Sequence, residues 1–204
     1  MSVRYREIDE IILYAYSMMP YIDFPMNPQL VIDKIPNCRM LSYQKFAEIN
    51  NCSVQEVEQI CNSRSGCTHY DRKHDRYLIL YNEQDGRKNN YGRRRWTKSH
   101  ELGHVLCRHH AMAAANTLSR SGLCIENGEL ETEADYFAGM FLAPFPLFRY
   151  YGITSSGDIK REFGLSDTAA TNRYRAYRKW LLHENSRWNG QFLELYWNKM
   201  NSYT

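Results

Sequence analysis

The chain has 204 residues, of which 43% are hydrophobic and 24% charged, and its formal net charge is +3. These proportions are typical of a globular protein and exclude a disordered or collagen-like chain, and the charge is too small to indicate nucleic-acid binding by itself. The apolar run at 11–19 is shorter than the ~20 residues of a membrane span, and its acidic flank argues against a signal peptide. We therefore expect a cytoplasmic protein with no membrane segment, in which the six cysteines, none in a C-x-x-C pair, are reduced and buried.

The hydrophobic pattern predicts a mostly helical chain with one short sheet. Helices are expected at 5–19, 42–50, 54–61, 94–110, 129–142, 146–151, 158–163, 167–182 and 191–199. A short strand at 38–42 and a hairpin of 67–70 and 77–81 supply the sheet. We expect a loop at 82–92 and a loop or weak helix at 111–128. Pro144 and Pro146 mark the best boundary, which divides the chain into a core at 1–145 with N-terminal helices and a C-terminal helical subdomain at 146–204.

His100, Glu101 and His104 form an H-E-x-x-H sequence inside a predicted helix. Residues four apart lie on the same helix face, so both imidazoles can bind one metal ion. Zinc is a metal that accepts such nitrogen ligands. Zinc lowers the pKa of a bound water to ~7. Glu101 can then take the proton of that water and pass it to a leaving amine. A solvated helix that carries two histidines by chance is the less favoured alternative.

A catalytic zinc site needs a third protein ligand, and the helix 129–142 offers Glu129, Glu131, Glu133 and Asp135. Glu131 lies on the face that should meet the core, whereas Glu133 is expected to point outward. Asp135 follows one turn after Glu131 and is expected to accept the free N–H of a ligating histidine. Alternatively, these acids only stabilise the helix N-terminus, which accounts for Glu131 less well than for Glu129 and Glu133.

Three segments carry a more specific signal. They read R-W-T-K-S-H-E-L-G-H at 95–104, E-T-E-A-D-Y-F-A at 131–138 and L-A-P at 142–144. They resemble the pattern R-F-T-x-A-H-E-L-G-H, E-x-x-A-N/D-x-F-A and L-L-M-P of the ImmA/IrrE-like zinc metallopeptidases. The differences at Trp96, Ser99 and Ala143 touch no ligand position. The resemblance is strongest over 77–145 and weaker over 146–182.

This resemblance implies that His100, His104 and Glu131 bind Zn²⁺, that Glu101 is the catalytic acid and base, and that Asp135 takes a supporting position. It implies an α+β fold, with a small, mostly helical zincin-like core and a short few-stranded sheet. Better-known members cleave helix-turn-helix repressors of mobile genetic elements or stress regulons. We therefore expect a zinc-dependent endopeptidase, a hydrolase whose protein substrate is one helix-turn-helix transcriptional repressor.

The motifs leave open which donor stabilises the oxyanion that forms in peptide hydrolysis. The candidates are Tyr136, His109, Arg95, His110 and Tyr81, each of which has a structural alternative. His109 falls on the buried helix stripe and is expected to pack there, and Cys107 is expected to be a packed thiol rather than a ligand. The strand 77–81 is expected to hold an extended substrate along its edge, or to be simply a core strand.

Residues 158–182 have the pattern of a helix, a turn and a second, basic helix. The basic residues are Arg173, Arg175, Arg178 and Lys179. This pattern supports an alternative from another class, a DNA-binding or protein-binding transcription regulator with a regulatory or vestigial metal site. Lys160 at a position that usually holds a small residue, and Asp167 facing phosphate, make DNA binding less favoured. A toxin–antitoxin-type partner that acts by binding alone is a third alternative. For a peptidase, we expect the region after Pro144, together with the loop 82–92, to dock the substrate.

Overall fold

The structure is a computed structural model that describes residues 3–84, 91–112, 117–118, 128–182 and 186–201. Its helices are α1 (Tyr5–Met18), α2 (Gln29–Ile32), α3 (Tyr43–Asn50), α4 (Val54–Cys61), α5 (Tyr91–Leu106), α6 (His109–Met112), α7 (Gly128–Leu142), α8 (Pro146–Tyr150), α9 (Ser156–Phe163), α10 (Asp167–Trp180) and α11 (Ser186–Asn201). Its strands are β1 (Cys38–Ser42), β2 (Gly66–Asp71), β3 (Arg76–Tyr81) and β4 (Thr117–Leu118).

In the described part of the chain, the strands form one mixed sheet in the order β1-β3-β2-β4. β3 pairs in parallel with β1 and antiparallel with β2, and β4 pairs antiparallel with β2. Successive side chains of a strand point to opposite faces, and β3 shows this directly. Ile79 lies in the main core on one face, whereas Leu80 lies in a smaller core on the other.

The sheet separates two hydrophobic cores of unequal size. The smaller one, covered by α3 and α4, contains Tyr43, Ala47, Val57, Cys61, Cys67 and Leu80. The larger one, on the side of α5, takes side chains from α1, α7, α8, α9, α10 and α11. Because residues before and after position 145 share this larger core, the segment after Pro144 packs onto the rest of the chain. The division into two domains at residue 145 stays a prediction.

Local sequence signals account for several of the helix ends. The predicted capping box at Ser53 and Glu56 is confirmed, and Ser155 with Asp158 forms a second one at the start of α9. The expected helix 94–110 is interrupted, because Arg108 adopts a left-handed backbone with φ 56°. The chain therefore turns after Leu106, and His109 begins the separate helix α6.

α5 is enclosed, with buried residues through most of its second half. It packs against β2 and β3 on one side and against α7 on the other. At its beginning, Arg95 donates a hydrogen bond to the carbonyl of Gly164 in the turn between α9 and α10. These contacts explain how a polar stretch such as His100–His104 can lie in the interior.

The α+β, mostly helical fold with a short sheet is confirmed. The predicted edge role of the strand 77–81 is wrong, because β3 is paired on both sides, by β1 and β2. Residues 85–90 of the expected loop 82–92 lie outside the described residues. No described helix has the length and apolar character needed to cross a membrane. Cys38, Cys52, Cys61, Cys67 and Cys107 are free thiols, and Cys124 lies outside the described residues.

Candidate metal centre

Two adjacent helices bring three predicted ligand side chains together. His100 Nε2 lies 3.1 Å from Glu131 Oε2 and 3.2 Å from His104 Nε2, and His104 Nε2 lies 3.4 Å from Glu131 Oε1. α5 supplies the two imidazoles one turn apart, and α7 supplies the carboxylate. The histidines are almost completely buried, whereas 22% of the Glu131 side chain is exposed. The cluster is therefore an interior site that opens towards solvent at Glu131.

The distances among these donor atoms fit a zinc ion. Ligands at ~2.0–2.1 Å from a tetrahedral zinc are about 3.3–3.4 Å from one another, close to the 3.1, 3.2 and 3.4 Å found here. Two imidazole nitrogens and a carboxylate oxygen are also a donor set that zinc accepts with one position left open. The residues present thus fit a zinc ion.

Asp135 places a second carboxylate next to the site. Its Oδ1 lies 2.9 Å from His100 Nδ1, on the opposite side of the ring from the cluster. Burial lowers the pKa of His100, but the hydrogen bonds to Asp135 and Glu131 outweigh it and raise the pKa to about 10. Without a metal, therefore, the acidic groups favour a positive charge at this point, which is the electrostatic condition for binding a cation.

Glu101 is held beside the cluster by a residue that the sequence motifs do not identify. Thr68 of β2 lies with its Oγ1 2.7 Å from Glu101 Oε2 and 3.2 Å from the Glu101 carbonyl oxygen. Burial raises the pKa of Glu101, and the nearby imidazoles and the Thr68 hydroxyl partly oppose that shift. A raised pKa suits a carboxylate that must accept a proton and release it again.

Glu133 is buried rather than pointing outward, which corrects the expectation from helix spacing. Only 2% of its side chain is exposed, and it contacts Arg4 and His109. The reason is the segment before α1, whose Arg4 covers this part of α7 and pairs with the carboxylate at 2.6 Å. The helical pattern alone carries no information about this contact, because Arg4 is far from Glu133 in the chain.

Of the candidate oxyanion donors, the structure places Tyr136 and Arg95 away from the cluster. The Tyr136 hydroxyl donates to Asp9 of α1, and Arg95 donates to the turn after α9. Tyr81 lies under Lys98, whose Nζ is 3.9 Å from the ring centroid. His110 Nε2 lies 3.1 Å from the Thr68 carbonyl oxygen, and burial lowers the pKa of His110 to about 4.

His109 is hydrogen-bonded to a metal-site imidazole, whereas the His110 ring only approaches the same imidazole, with 6.5 Å between the ring centroids. Its Nδ1 lies 2.8 Å from His104 Nδ1, on the side of that ring opposite the cluster. Burial and the neighbouring His104 lower the pKa of His109 to about 3. The described contacts thus place His109 behind His104 rather than beside a substrate.

The expected basic docking face of α10 is smaller than the sequence indicates. Arg173 is buried, donates to the Ala143 carbonyl at 2.9 Å and lies 3.5 Å from the Phe145 ring centroid. Burial lowers its pKa to about 9. The exposed positive charge on this helix is supplied by Arg175, Arg178 and Lys179.

Comparison with known proteins agrees with this site. The Peptidase_M78 family, described as the IrrE N-terminal-like domain, matches residues 59–175, which include both helices of the cluster. A search of curated proteins found no match. Because the family match covers more than half of the 204 residues, the chain belongs to the Peptidase_M78 family of IrrE N-terminal-like domains.

Proposed function

We propose that this chain is a zinc-dependent endopeptidase of the cytoplasm that cleaves one partner protein, a helix-turn-helix repressor of a mobile element or stress regulon. The observation that carries the peptidase part is the triangle of donor atoms from His100, His104 and Glu131 beside the buried carboxylate of Glu101. Membership in a peptidase family supports the same reaction class.

In this proposal, His100, His104 and Glu131 hold the zinc ion. When bound there, zinc would supply Lewis-acid polarisation of the scissile carbonyl and would acidify a water. Glu101 takes a proton from the attacking water and returns it to the leaving nitrogen. The hydrogen bond from Thr68 to Oε2 holds the Glu101 carboxylate in place for this transfer. Asp135 accepts from His100 Nδ1 and keeps the other nitrogen of that ring directed at the cluster.

Restriction to one partner is proposed on separate grounds. A peptidase that cut many proteins would damage its own cell, so we expect substrate choice to limit its activity. The exposed cations Arg175, Arg178 and Lys179 on α10 give a surface that an acidic segment of the partner can contact. The identity of the partner as a repressor is supported by the family resemblance alone.

The test uses the purified zinc-loaded chain and the repressor encoded beside its gene, with casein as a generic substrate. We expect selective cleavage of the repressor, little cleavage of casein, and loss of cleavage in Glu101→Gln with zinc retained. Equal digestion of casein and repressor would contradict the selectivity. Undiminished cleavage by Glu101→Gln would contradict the role of Glu101.

The alternative of a DNA-binding regulator receives less support from the described residues. Arg173, one of its four proposed cations, is buried, and Lys160 pairs at 2.8 Å with Asp167 at the start of α10. A gel-shift experiment with promoter DNA separates the two functions, since the peptidase proposal expects no specific shift.

A further inference from the structure

A line of hydrogen-bonded side chains leads from the ligand cluster of His100, His104 and Glu131 to the segment before α1. His104 Nδ1 lies 2.8 Å from His109 Nδ1, and His109 Nε2 lies 3.0 Å from Glu133 Oε2. Glu133 Oε1 accepts from the main-chain N of Arg4 at 2.8 Å and from its Nε at 3.1 Å, while Oε2 accepts from the Arg4 guanidinium at 2.6 Å. The His104, His109 and Glu133 side chains are each at least 98% buried.

The hydrogen-bond donors and acceptors along this line are compatible with one placement of the histidine ring hydrogens. Glu133, paired with Arg4, is a carboxylate and can only accept, so His109 Nε2 must carry a hydrogen. A neutral His109 then has a lone pair at Nδ1, which accepts from Nδ1–H of His104. This leaves the lone pair of His104 at Nε2, the atom that lies in the cluster. The hydrogen positions follow from the network of partners.

We infer that His109, Glu133 and Arg4 are positioning residues that fix the tautomer and the ring orientation of His104 for metal binding. This inference rests on the metal site of the proposed function. The other histidine of the cluster is held differently, because Asp135 contacts His100 directly. A carboxylate thus stands behind each imidazole, one in direct contact and one through an intervening histidine.

Two features of the chain bring together His104, His109, Glu133 and Arg4, which we call the relay. The left-handed residue Arg108 reverses the backbone after α5, so that His109 comes to lie behind His104 five residues earlier. Arg4 is separated from Glu133 by 129 positions and lies outside the residues that match the peptidase family. The segment before α1 therefore contributes directly to the support of a metal-binding side chain.

The proton arrangement can be measured on the unaltered protein. A long-range ¹H–¹⁵N spectrum of the ¹⁵N-labelled, Zn²⁺-loaded chain should show His104 with its hydrogen on Nδ1 and His109 with its hydrogen on Nε2. Zn²⁺ binding at Nε2 by itself places the hydrogen of His104 on Nδ1, so the His109 tautomer is the diagnostic result, and packing alone would not fix it. A hydrogen on Nδ1 of His109 would overturn the inference, since that atom could then not accept from His104.

Metal affinity gives a second, independent measurement. Dissociation constants for Zn²⁺ are determined by chelator competition, and the Co²⁺-substituted chain is examined by visible absorption. We expect Glu133→Gln and His109→Ala to weaken Zn²⁺ binding by about 10- to 100-fold and to alter the Co²⁺ spectrum. His109→Asn, which restores an acceptor near the position of Nδ1, should recover part of the affinity.

Glu7→Gln is the matched control, because Glu7 also pairs with Arg4, at 3.1 Å, but is 65% exposed and not part of the relay. It should bind Zn²⁺ as the wild type does. Failure of the wild type to bind Zn²⁺ would contradict the proposed function itself. Tight wild-type binding with unchanged affinity in folded Glu133→Gln and His109→Ala would overturn the relay and leave the proposed function in place. If these variants do not fold, the His109 tautomer measured in the wild type tests the inference.

Discussion

Gly103 of α5 lies directly against Phe137 of α7. A Cβ atom at position 103 would be 3.1 Å from Phe137 Cδ1 and 3.3 Å from the Cα of Ala134. These are the two helices that carry His104 and Glu131, so the absence of a side chain at Gly103 sets how closely the histidines and the glutamate approach. The glycine inside the H-E-x-x-H sequence is thus a packing requirement of the metal centre.

Gly103→Ala should lower the stability by about 1–3 kcal/mol relative to Gly190→Ala, the range for overpacking a tight contact. Gly190 is the matched control because it also lies within a helix, α11, but a Cβ there meets nothing within 4 Å. Both substitutions gain the same helix propensity, so their difference isolates the cost of separating α5 and α7. Urea unfolding measures it, and equal stability of the two variants would refute the tight packing.

The ligand assignment predicts the metal content of four variants. His100→Ala, His104→Ala and Glu131→Ala should each lose most of the bound zinc, because each removes one of the three donors. Glu129→Ala, a neighbouring acid on α7, should retain it. Elemental analysis of the purified proteins checks this, and full occupancy in Glu131→Ala would show that another residue is the third ligand.

Thr68→Val should lower peptidase activity by roughly 10- to 100-fold, which corresponds to the loss of one hydrogen bond to a charged group. Valine keeps the shape of the buried side chain but cannot donate to Glu101 Oε2. Zinc content should be unchanged, because Thr68 contacts no ligand in the described set of hydrogen bonds. Thr68→Ser keeps the hydroxyl and should stay near wild-type activity; a loss equal to that of Thr68→Val would point to packing instead.

Asp9 predicts a pH dependence of stability. Burial raises its pKa to about 6, although the hydrogen bond from Tyr136 opposes this. Since the folded-state pKa lies above the ordinary value of 3.8, losing the proton is harder in the folded state. The contribution of Asp9 to stability is therefore largest below about pH 4 and is lost as the pH rises to about 6.

Asp9→Asn keeps an acceptor for Tyr136 but has no proton to lose. We expect it to match the wild type in stability near pH 4 and to exceed it at pH 7. Thermal unfolding of both proteins at several pH values provides the comparison. A stability difference that does not change with pH would show that Asp9 stays exposed enough to ionise normally.

Sequence patterns were sufficient where the relevant residues are close together in the chain. The helical spacing of His100 and His104 predicts their common face, and the capping box at Ser53 and Glu56 was visible from two letters three positions apart. The α+β class followed from the alternation of such local signals. The helix face of α7 likewise favoured Glu131, which the structure brings to the histidines.

Contacts between distant segments could not be predicted in this way. Thr68 lies 33 positions before Glu101, and Arg4 lies 129 positions before Glu133. Nothing in the local pattern around any of these residues indicates its partner. The order of the strands was also hidden, because the parallel pairing of β1 with β3 joins segments that are far apart in the chain.

The link between Arg4 and Glu133 has a consequence for biosynthesis. At ~5–20 residues per second, a ribosome needs roughly 6 to 26 s to add the 129 residues between them. Throughout this time the apolar side of α1, with Ile8, Ile12 and Ala15, has neither α7 nor α11 to pack on. We expect the nascent chain to present this helix to chaperones, and α1 to dock only after the later helices α7 and α11 have been synthesised.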